Sequence, residues 1–228
     1  MLPLDNAVWT ALTTKQSQLA LSSALARRFP PEMTLLGALA ANTAMAFDSL
    51  AQLIQRDPVT LYFTSSPQIP PGWEIVRAVE LHQMVQEGPA VGQEQVQQHE
   101  IVELTPADVP EMSVLYTATR PGRTLCPRIQ KLGQFLGIRE DGKLAAMGGL
   151  RLQIAGYREI TTVATLPGHE GRSYATAIVL ALVERIRSRG DRPFLTVRTD
   201  NTRAVEIYRR LGFKERTVFY SQTIRRAG

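Results

Sequence analysis

The chain has 228 residues, a length that suits one large domain or two small ones. Hydrophobic residues make up 44% of it and charged residues 21%, an ordinary globular composition that excludes a collagen, a coiled coil and a wholly disordered chain. Positive charge is concentrated in residues 101–228, with 21 Lys and Arg against 12 Asp and Glu, whereas residues 1–100 carry five against nine.

The first hundred residues predict two helices followed by two strands. Apolar residues recur with a period of 3.6 from Leu12 until Pro30 and Pro31, which cannot continue a helix. A second helical pattern follows, and β-branched and aromatic residues then indicate strands. The predicted elements are helices from residue 12 to these prolines and at residues 34–56, and strands at residues 59–63 and 73–79.

Residues 87–100 are the best linker candidate, because they are rich in Gly, Gln and Glu and poor in apolar residues. We therefore predict two domains, a smaller α/β region at residues 1–99 and a second domain at residues 100–228. The first region shows no family motif and has no assigned role. A degenerate half-copy of the second domain's fold and a helical cap both fit it.

The second half alternates strands and helices. Thr105, Pro106 and Asp108 are typical of a helix start, with a cap, a first-turn proline and an early acidic residue. Asp141 and Gly142 are the residue pair that favours a type I′ turn, so they predict a β-hairpin. The predicted strands are at residues 101–104, 134–139, 143–150, 159–166, 193–198 and 217–224, and the predicted helices at about residues 105–119, 175–187 and 201–211.

The turn between the strand at 159–166 and the following helix has the layout of a phosphate-binding loop. Gly171, Ser173 and Ala175 are small, so the chain can approach a ligand closely there. The unpaired N–H groups at a helix start, together with the positive end of the helix dipole, favour an anion such as a pyrophosphate. By itself the pattern also fits an ordinary helix N-terminus.

A second pattern, Asn-x-x-Ala-x-x-x-Tyr-x-x-Leu-Gly-Phe, runs from Asn201 through Ala204 and Tyr208 to Phe213. With the loop described above and the Leu-Gly-x-Phe-x-Gly-Ile run at residues 132–138, it makes residues 101–228 resemble the GNAT superfamily of acetyl-CoA-dependent N-acyltransferases. The likeness is greatest to the branch that includes glycine acyltransferase-like proteins. It implies an α/β (α+β) fold, a GNAT-like mixed twisted sheet flanked by helices.

This resemblance implies that acetyl-CoA, or another acyl-CoA, is the cosubstrate. The family's loop usually reads Arg or Gln, two residues, Gly, one residue, Gly or Ala; Glu170, Ser173 and Ala175 hold these positions, so the first two depart. Backbone groups of the preceding strand would pair with pantetheine and polarise the thioester carbonyl. The implied cofactor contacts are Val163, Ala164, Thr165, Glu170, Gly171, Arg172, Ser173, Tyr174, Ala175 and Asn201.

Three implied residues also have simpler structural interpretations. Tyr208 matches the family's general acid, a phenol near the departing sulfur, but a half-buried tyrosine on an apolar stripe also fits. Glu159 precedes Glu170 by the spacing at which histone-type members place a glutamate base, but an ion pair with Arg158 or Arg151 also fits. Asn201 can contact the cofactor, cap its helix, or do both.

The predicted function is an N-acetyltransferase that moves an acetyl group from acetyl-CoA directly to a primary amine in a ternary complex. A non-catalytic CoA-binding or regulatory module is the alternative. The positive second half also allows a nucleic-acid binder, although it lacks aromatic platforms and helix-turn-helix or zinc-finger spacing. We expect a small-molecule or peptide amine as acceptor, and a homodimer also fits.

The chain is predicted to be cytoplasmic and to bind no membrane. Its start lacks the basic region and apolar block of a signal peptide. The longest mainly apolar stretch, residues 35–54, is broken by polar residues and is too short in uninterrupted length for a bilayer span. The single cysteine, Cys126, and three widely separated histidines favour neither a disulfide nor a metal site.

Overall fold

A computed structural model describes residues 2–89 and 99–227, which form one eight-stranded sheet with helices on both faces and one small separate sheet. The helices are α1 (Ala7–Thr13), α2 (Ala44–Ala51), α3 (Val109–Thr119), α4 (Tyr174–Arg187) and α5 (Thr202–Arg210). The strands are β1 (Leu21–Ser22), β2 (Ala26–Arg28), β3 (Gly37–Leu39), β4 (Val59–Phe63), β5 (Trp73–Gln86), β6 (Val102–Leu104), β7 (Phe135–Glu140), β8 (Lys143–Ile154), β9 (Tyr157–Thr165), β10 (Arg192–Arg198) and β11 (Phe213–Arg226).

The large sheet is mixed. Its strand order is β4-β11-β5-β10-β9-β8-β7-β6, and all neighbours are antiparallel except β9 and β10. A parallel pair needs a crossover connection, which α4 supplies. The predicted α/β class, a mixed sheet flanked by helices, is confirmed. Among the described residues, no helix combines the length and the apolar character that a bilayer span requires.

Strands from both predicted domains are interleaved in this sheet. β5 lies between β10 and β11, and β4 pairs with the other side of β11. The sheet therefore crosses the predicted boundary at residue 99. Most of the predicted linker, residues 90–98, lies outside the described residues. The elements of residues 2–89 do not repeat the order of those in the second half, so their topology does not support a half-copy.

The first helix predicted near the N-terminus is wrong, and the second is shorter than expected. The span predicted as the first helix overlaps α1 only at its start, and it then contains a 3-10 turn at Ser17–Leu19 and the strands β1 and β2. α1 ends at Thr13, because Gln16 beyond it is buried and bonds to β8: its Nε2 donates to the Arg151 carbonyl at 3.0 Å, and its Oε1 accepts from the Gln153 N–H at 2.9 Å. These tertiary bonds override the apolar period. The helix predicted at residues 34–56 is limited to α2, and β3 takes up part of its start by pairing with β2.

The second half follows the predicted order closely. Asp141 and Gly142 both have positive φ, 49° and 77°, as a type I′ turn requires, and they join β7 to β8. Thr105 and Asp108 form a capping box ahead of α3. β5 and β11 extend well beyond the predicted strands, because they pair with each other almost along their whole lengths.

The two faces of the large sheet carry separate hydrophobic cores. On one, which we call the α3 face, Met112 and Leu115 of α3 pack in a core that includes Phe194 of β10 and part of α1. On the other, the α4 face, Ile178 and residues around it pack with Leu195 of β10 and part of α5. Successive residues of β10 thus point to opposite faces. A ligand that contacts both faces must therefore pass through a place where two neighbouring strands separate.

Candidate active site

The sheet opens between β9 and β10. Their parallel pairing extends only from Tyr157 to Ile160 on β9, although β9 continues to Thr165 and β10 to Arg198. Thr162 has a φ of 56°, and the register of β9 against β8 shifts beside it, which marks a β-bulge. The two strands therefore separate at the end that leads into α4 and α5.

The loop before α4 presents unpaired backbone donors. Gly171 and Ser173 both have positive φ, 80° and 61°, and bend the chain sharply into the helix. Within the described residues, no N–H group from Gly171 to Thr176 has a hydrogen-bond acceptor. Residues 171–173 are exposed, and a Cβ added at Gly171 would meet nothing within 4 Å. With the positive end of a 14-residue helix behind them, these donors suit a phosphate group.

The charged side chains of this loop already have hydrogen-bond partners. The Oε2 atom of Glu170 accepts a hydrogen bond from the Gly168 N–H at 2.7 Å, and backbone N–H groups of Glu170 itself and Gly168 lower the pKa of its carboxyl. Arg172 and the Tyr174 hydroxyl both donate to Glu140, the latter at 3.0 Å. Because Glu170 stays ionised and Arg172 is already paired, the loop attracts anions chiefly through its backbone.

Tyr208 and Asn201 both lie on or at the start of α5. Tyr208 is half-buried, and its ring packs edge-on against Phe213 with 5.9 Å between centroids. Burial raises the pKa of its phenol to about 12, while the nearby charge of Arg120 lowers it. Asn201 caps the helix, since its Oδ1 accepts from the Ala204 N–H at 3.2 Å. Its predicted contact with a cofactor stays a prediction.

Glu159 is fully buried on the α3 face and bound to Arg151. The guanidinium donates to both carboxylate oxygens, at 2.8 Å from Nε and 2.7 Å from Nη2. Asn6 and Val8 of the N-terminal segment line the small cavity beside it. The contacts therefore favour the ion pair over the predicted catalytic base, because both carboxylate oxygens already accept charge-assisted hydrogen bonds from the guanidinium.

Arg120 was not singled out by the sequence, since it follows the last helical residue of α3 as an ordinary basic helix end would. Its Nη2 donates to the Val163 carbonyl at 3.1 Å, and its guanidinium lies 4.8 Å from the centre of the Tyr116 ring. Its charge also acts on Tyr208. The gap between β9 and β10 therefore contains a cation beside the predicted acid. Three residues of β9 were predicted to contact the cofactor. The Val163 carbonyl accepts the bond from Arg120, and Ala164 and Thr165 pair with β8.

Residues 135–221 match the family described as FR47-like protein. A crystal structure from Novosphingobium aromaticivorans, assigned to the GNAT family of acetyltransferases, is 32% identical, covers 100% of both chains and superposes with a TM-score of 0.88. A GCN5-related N-acetyltransferase from Kribbella flavida is 15% identical over 96% of both chains, with a TM-score of 0.59. A GCN5-related N-acetyltransferase-like protein from Streptococcus suis is 13% identical over 96% of this chain and 92% of its own, with a TM-score of 0.62.

The last two likenesses concern the fold alone, whereas the Novosphingobium protein is similar over the whole sequence. Among curated proteins, no relative matches the sequence. These matches do not address the glycine acyltransferase-like branch, which stays a prediction.

Proposed function

This chain belongs to the GNAT family of acetyltransferases, and from that premise we propose that it transfers an acetyl group from acetyl-CoA to a primary amine within one ternary complex. One observation carries the proposal: β9 and β10 separate next to the unpaired N-terminus of α4, with Tyr208 beside the gap. A cytoplasmic location, where acetyl-CoA and free amines meet, suits this activity.

The loop residues fit the diphosphate of CoA through their backbone. The N–H groups of Gly171 to Thr176 are the donors, and the departures at Glu170 and Ser173 leave them in place because they depend on no side chain. Glu170 is the unfavourable member, since it places a negative charge in the same loop. The open edges of β9 and β10 offer further backbone groups for the pantetheine arm, with Ala164 and Thr165 on the β9 side.

The chemistry assigned to the chain is proton delivery and orientation. Bound acetyl-CoA would supply a thioester whose carbonyl carbon the amine attacks, so that the new C–N bond replaces the C–S bond. Tyr208, protonated because its pKa is raised to about 12, donates its proton to the departing sulfur. The ammonium form of the amine loses its extra proton to solvent before the attack, because Glu159 is occupied by Arg151. After the attack the nitrogen loses one more proton to solvent as the amide forms, and solvent returns a proton to the Tyr208 phenolate.

The test is incubation of the protein with acetyl-CoA and pooled primary amines, with free thiol followed over time. We expect thiol release that depends on both the protein and the amine, and an acetylated amine in the products. Calorimetric binding of acetyl-CoA without turnover on any amine would indicate the alternative, a CoA-binding module. No binding at millimolar acetyl-CoA would overturn the proposal altogether.

A further inference from the structure

Three arginines from distant parts of the chain belong to the α3 face, at the end of the sheet where β9 and β10 separate. Arg77 is on β5, and Arg120 and Arg123 follow α3. Leu81 pairs with Arg198, and alternation along each strand places Arg77 on the same face as Leu81 and Arg198 on the same face as Phe194. Since α3 packs on this face, the turn after it carries Arg120 and Arg123 to the same end of the sheet.

The charges of these three arginines have no carboxylate partner. Among the described residues, none of Arg77, Arg120 and Arg123 forms an ion pair. The acidic groups in the same region are already bound: Asp200 pairs with Arg198, Glu32 with Arg128, and Glu159 with Arg151. Uncompensated positive charge therefore remains on this face.

The arginines also act on one another. Burial lowers the pKa of Arg77, and repulsion by Arg123 and Arg198 lowers it further, while Tyr116 and Asp200 offset only part of this. Arginine nevertheless stays protonated at any physiological pH. Holding several like charges together costs free energy unless an anion offsets it, so the arrangement is suited to an anionic group.

We propose that the acceptor of acyl transfer carries a carboxylate, and that Arg77 and Arg123 bind it on the α3 face. The inference rests on the proposed function and names the substrate class of the same site. The loop before α4 lies on the α4 side of the gap, whereas the three arginines belong to the opposite face of the sheet, the α3 face. An amine held by its carboxylate there enters the gap from the side that the cofactor loop does not occupy.

Arg120 lies between the proposed carboxylate site and Tyr208, since it donates to the Val163 carbonyl on β9 and its charge acts on Tyr208. Its remaining donors are available to the same carboxylate or to the carbonyl next to the reacting amine. Free amino acids and the carboxyl ends of short peptides share the required chemistry.

The experiment compares a set of amino acids with their matched amides and with simple alkyl amines, using acetyl-CoA and thiol release. The amine of each amide is less basic than the amine of the matching acid, so a larger fraction of it is neutral at a given pH. This difference in reactive amine favours the amides and therefore works against the expected result. We expect kcat/KM for the acids to exceed that for the amides by roughly tenfold to a hundredfold, the usual contribution of a charge-assisted hydrogen bond. A dipeptide included in the set separates a peptide acceptor from a free amino acid.

Two variants identify the residues. Arg77→Gln and Arg123→Gln should each reduce the preference for acids over amides by roughly tenfold while leaving turnover of the simple amines unchanged. Arg210→Gln, at an exposed arginine on α5, is the matched control and should retain the full preference. Melting temperatures recorded for all three variants identify any loss of fold.

The outcomes separate the two proposals. Amides or simple amines used as well as the acids, or a preference that survives in Arg77→Gln and Arg123→Gln, would overturn the carboxylate site and leave the transferase standing. No thiol release with any amine would remove the transferase and this inference with it.

Discussion

Arg151 holds Glu159 by two hydrogen bonds beneath the N-terminal segment, and this buried pair joins β8 to β9. Burial opposes the charge on Arg151, but the adjacent carboxylate outweighs it and raises the pKa of Arg151 above its usual range. The guanidinium of Arg151 therefore keeps its charge although it is buried. Its position beside the active-site gap makes it a structural support for β9, where the strand begins to leave β10.

Glu159→Gln should destabilise the protein strongly, because it leaves the buried charge of Arg151 uncompensated. Removal of one partner of such a pair costs about 3–5 kcal/mol, which lowers the melting temperature by roughly 10 °C in a chain of this size. Glu206→Gln, which breaks the exposed pair with Arg210, is the control and should change stability by less than about 1 kcal/mol. Thermal denaturation measures both.

The same variant distinguishes a structural role of Glu159 from a role as the catalytic base. Well below its melting temperature, Glu159→Gln should keep acyl transfer within a fewfold of the unaltered protein. A loss of about a hundredfold or more in kcat with a normal melting temperature would instead restore Glu159 to the role of general base.

Tyr208→Phe should slow acyl transfer and leave both the fold and acetyl-CoA affinity nearly unchanged. The ring still packs against Phe213, so only the hydroxyl is lost. A general acid typically contributes about 10²- to 10⁴-fold in rate, and the thiolate of CoA is already a fair leaving group, which favours the lower end. Tyr220→Phe on β11 is the matched control. Unchanged turnover in Tyr208→Phe would limit this residue to packing.

The pH profile follows from the direction of the Tyr208 shift. An acid acts in its protonated form, so its contribution is present below its pKa and lost as the pH rises through that value. Burial places this pKa at about 12. We expect kcat/KM to rise as the acceptor amine loses its proton and then to stay level past about pH 10, the ordinary value for tyrosine. Rates corrected for alkaline hydrolysis of the thioester test this, and a decline centred near the ordinary value would contradict it.

Glu170→Gln should tighten acetyl-CoA binding, because it removes a negative charge from the loop assigned to the diphosphate. The side chain is exposed, so the solvent-screened gain is about two- to fivefold in Kd, and added salt should reduce it. Asp141→Asn, in the exposed hairpin turn, is the control. Calorimetry at low ionic strength measures the difference, and weaker binding would show that Glu170 does not face the diphosphate.

Local chemistry explains what the sequence determined by itself. The hairpin depends on Asp141 and Gly142, which accept positive φ, and the start of α3 depends on Thr105 and Asp108, which bond to each other's backbone. The loop before α4 is likewise a short-range feature, a strand and a helix joined by small residues. Such elements need only neighbours along the chain, so the order of strands and helices in residues 101–227 could be predicted.

The tertiary structure alone decided the features that join distant residues. Gln16, in the span predicted as the first helix, bonds to β8 instead. Glu159 meets Arg151 across a strand pair, which is one of the two ion pairs that the sequence allowed beside the role of catalytic base. β5 inserts between β10 and β11, which places Arg77 on the α3 face within electrostatic reach of Arg123. These contacts depend on the register of the sheet and on packing between segments many residues apart. No local period or motif encodes the register or the packing.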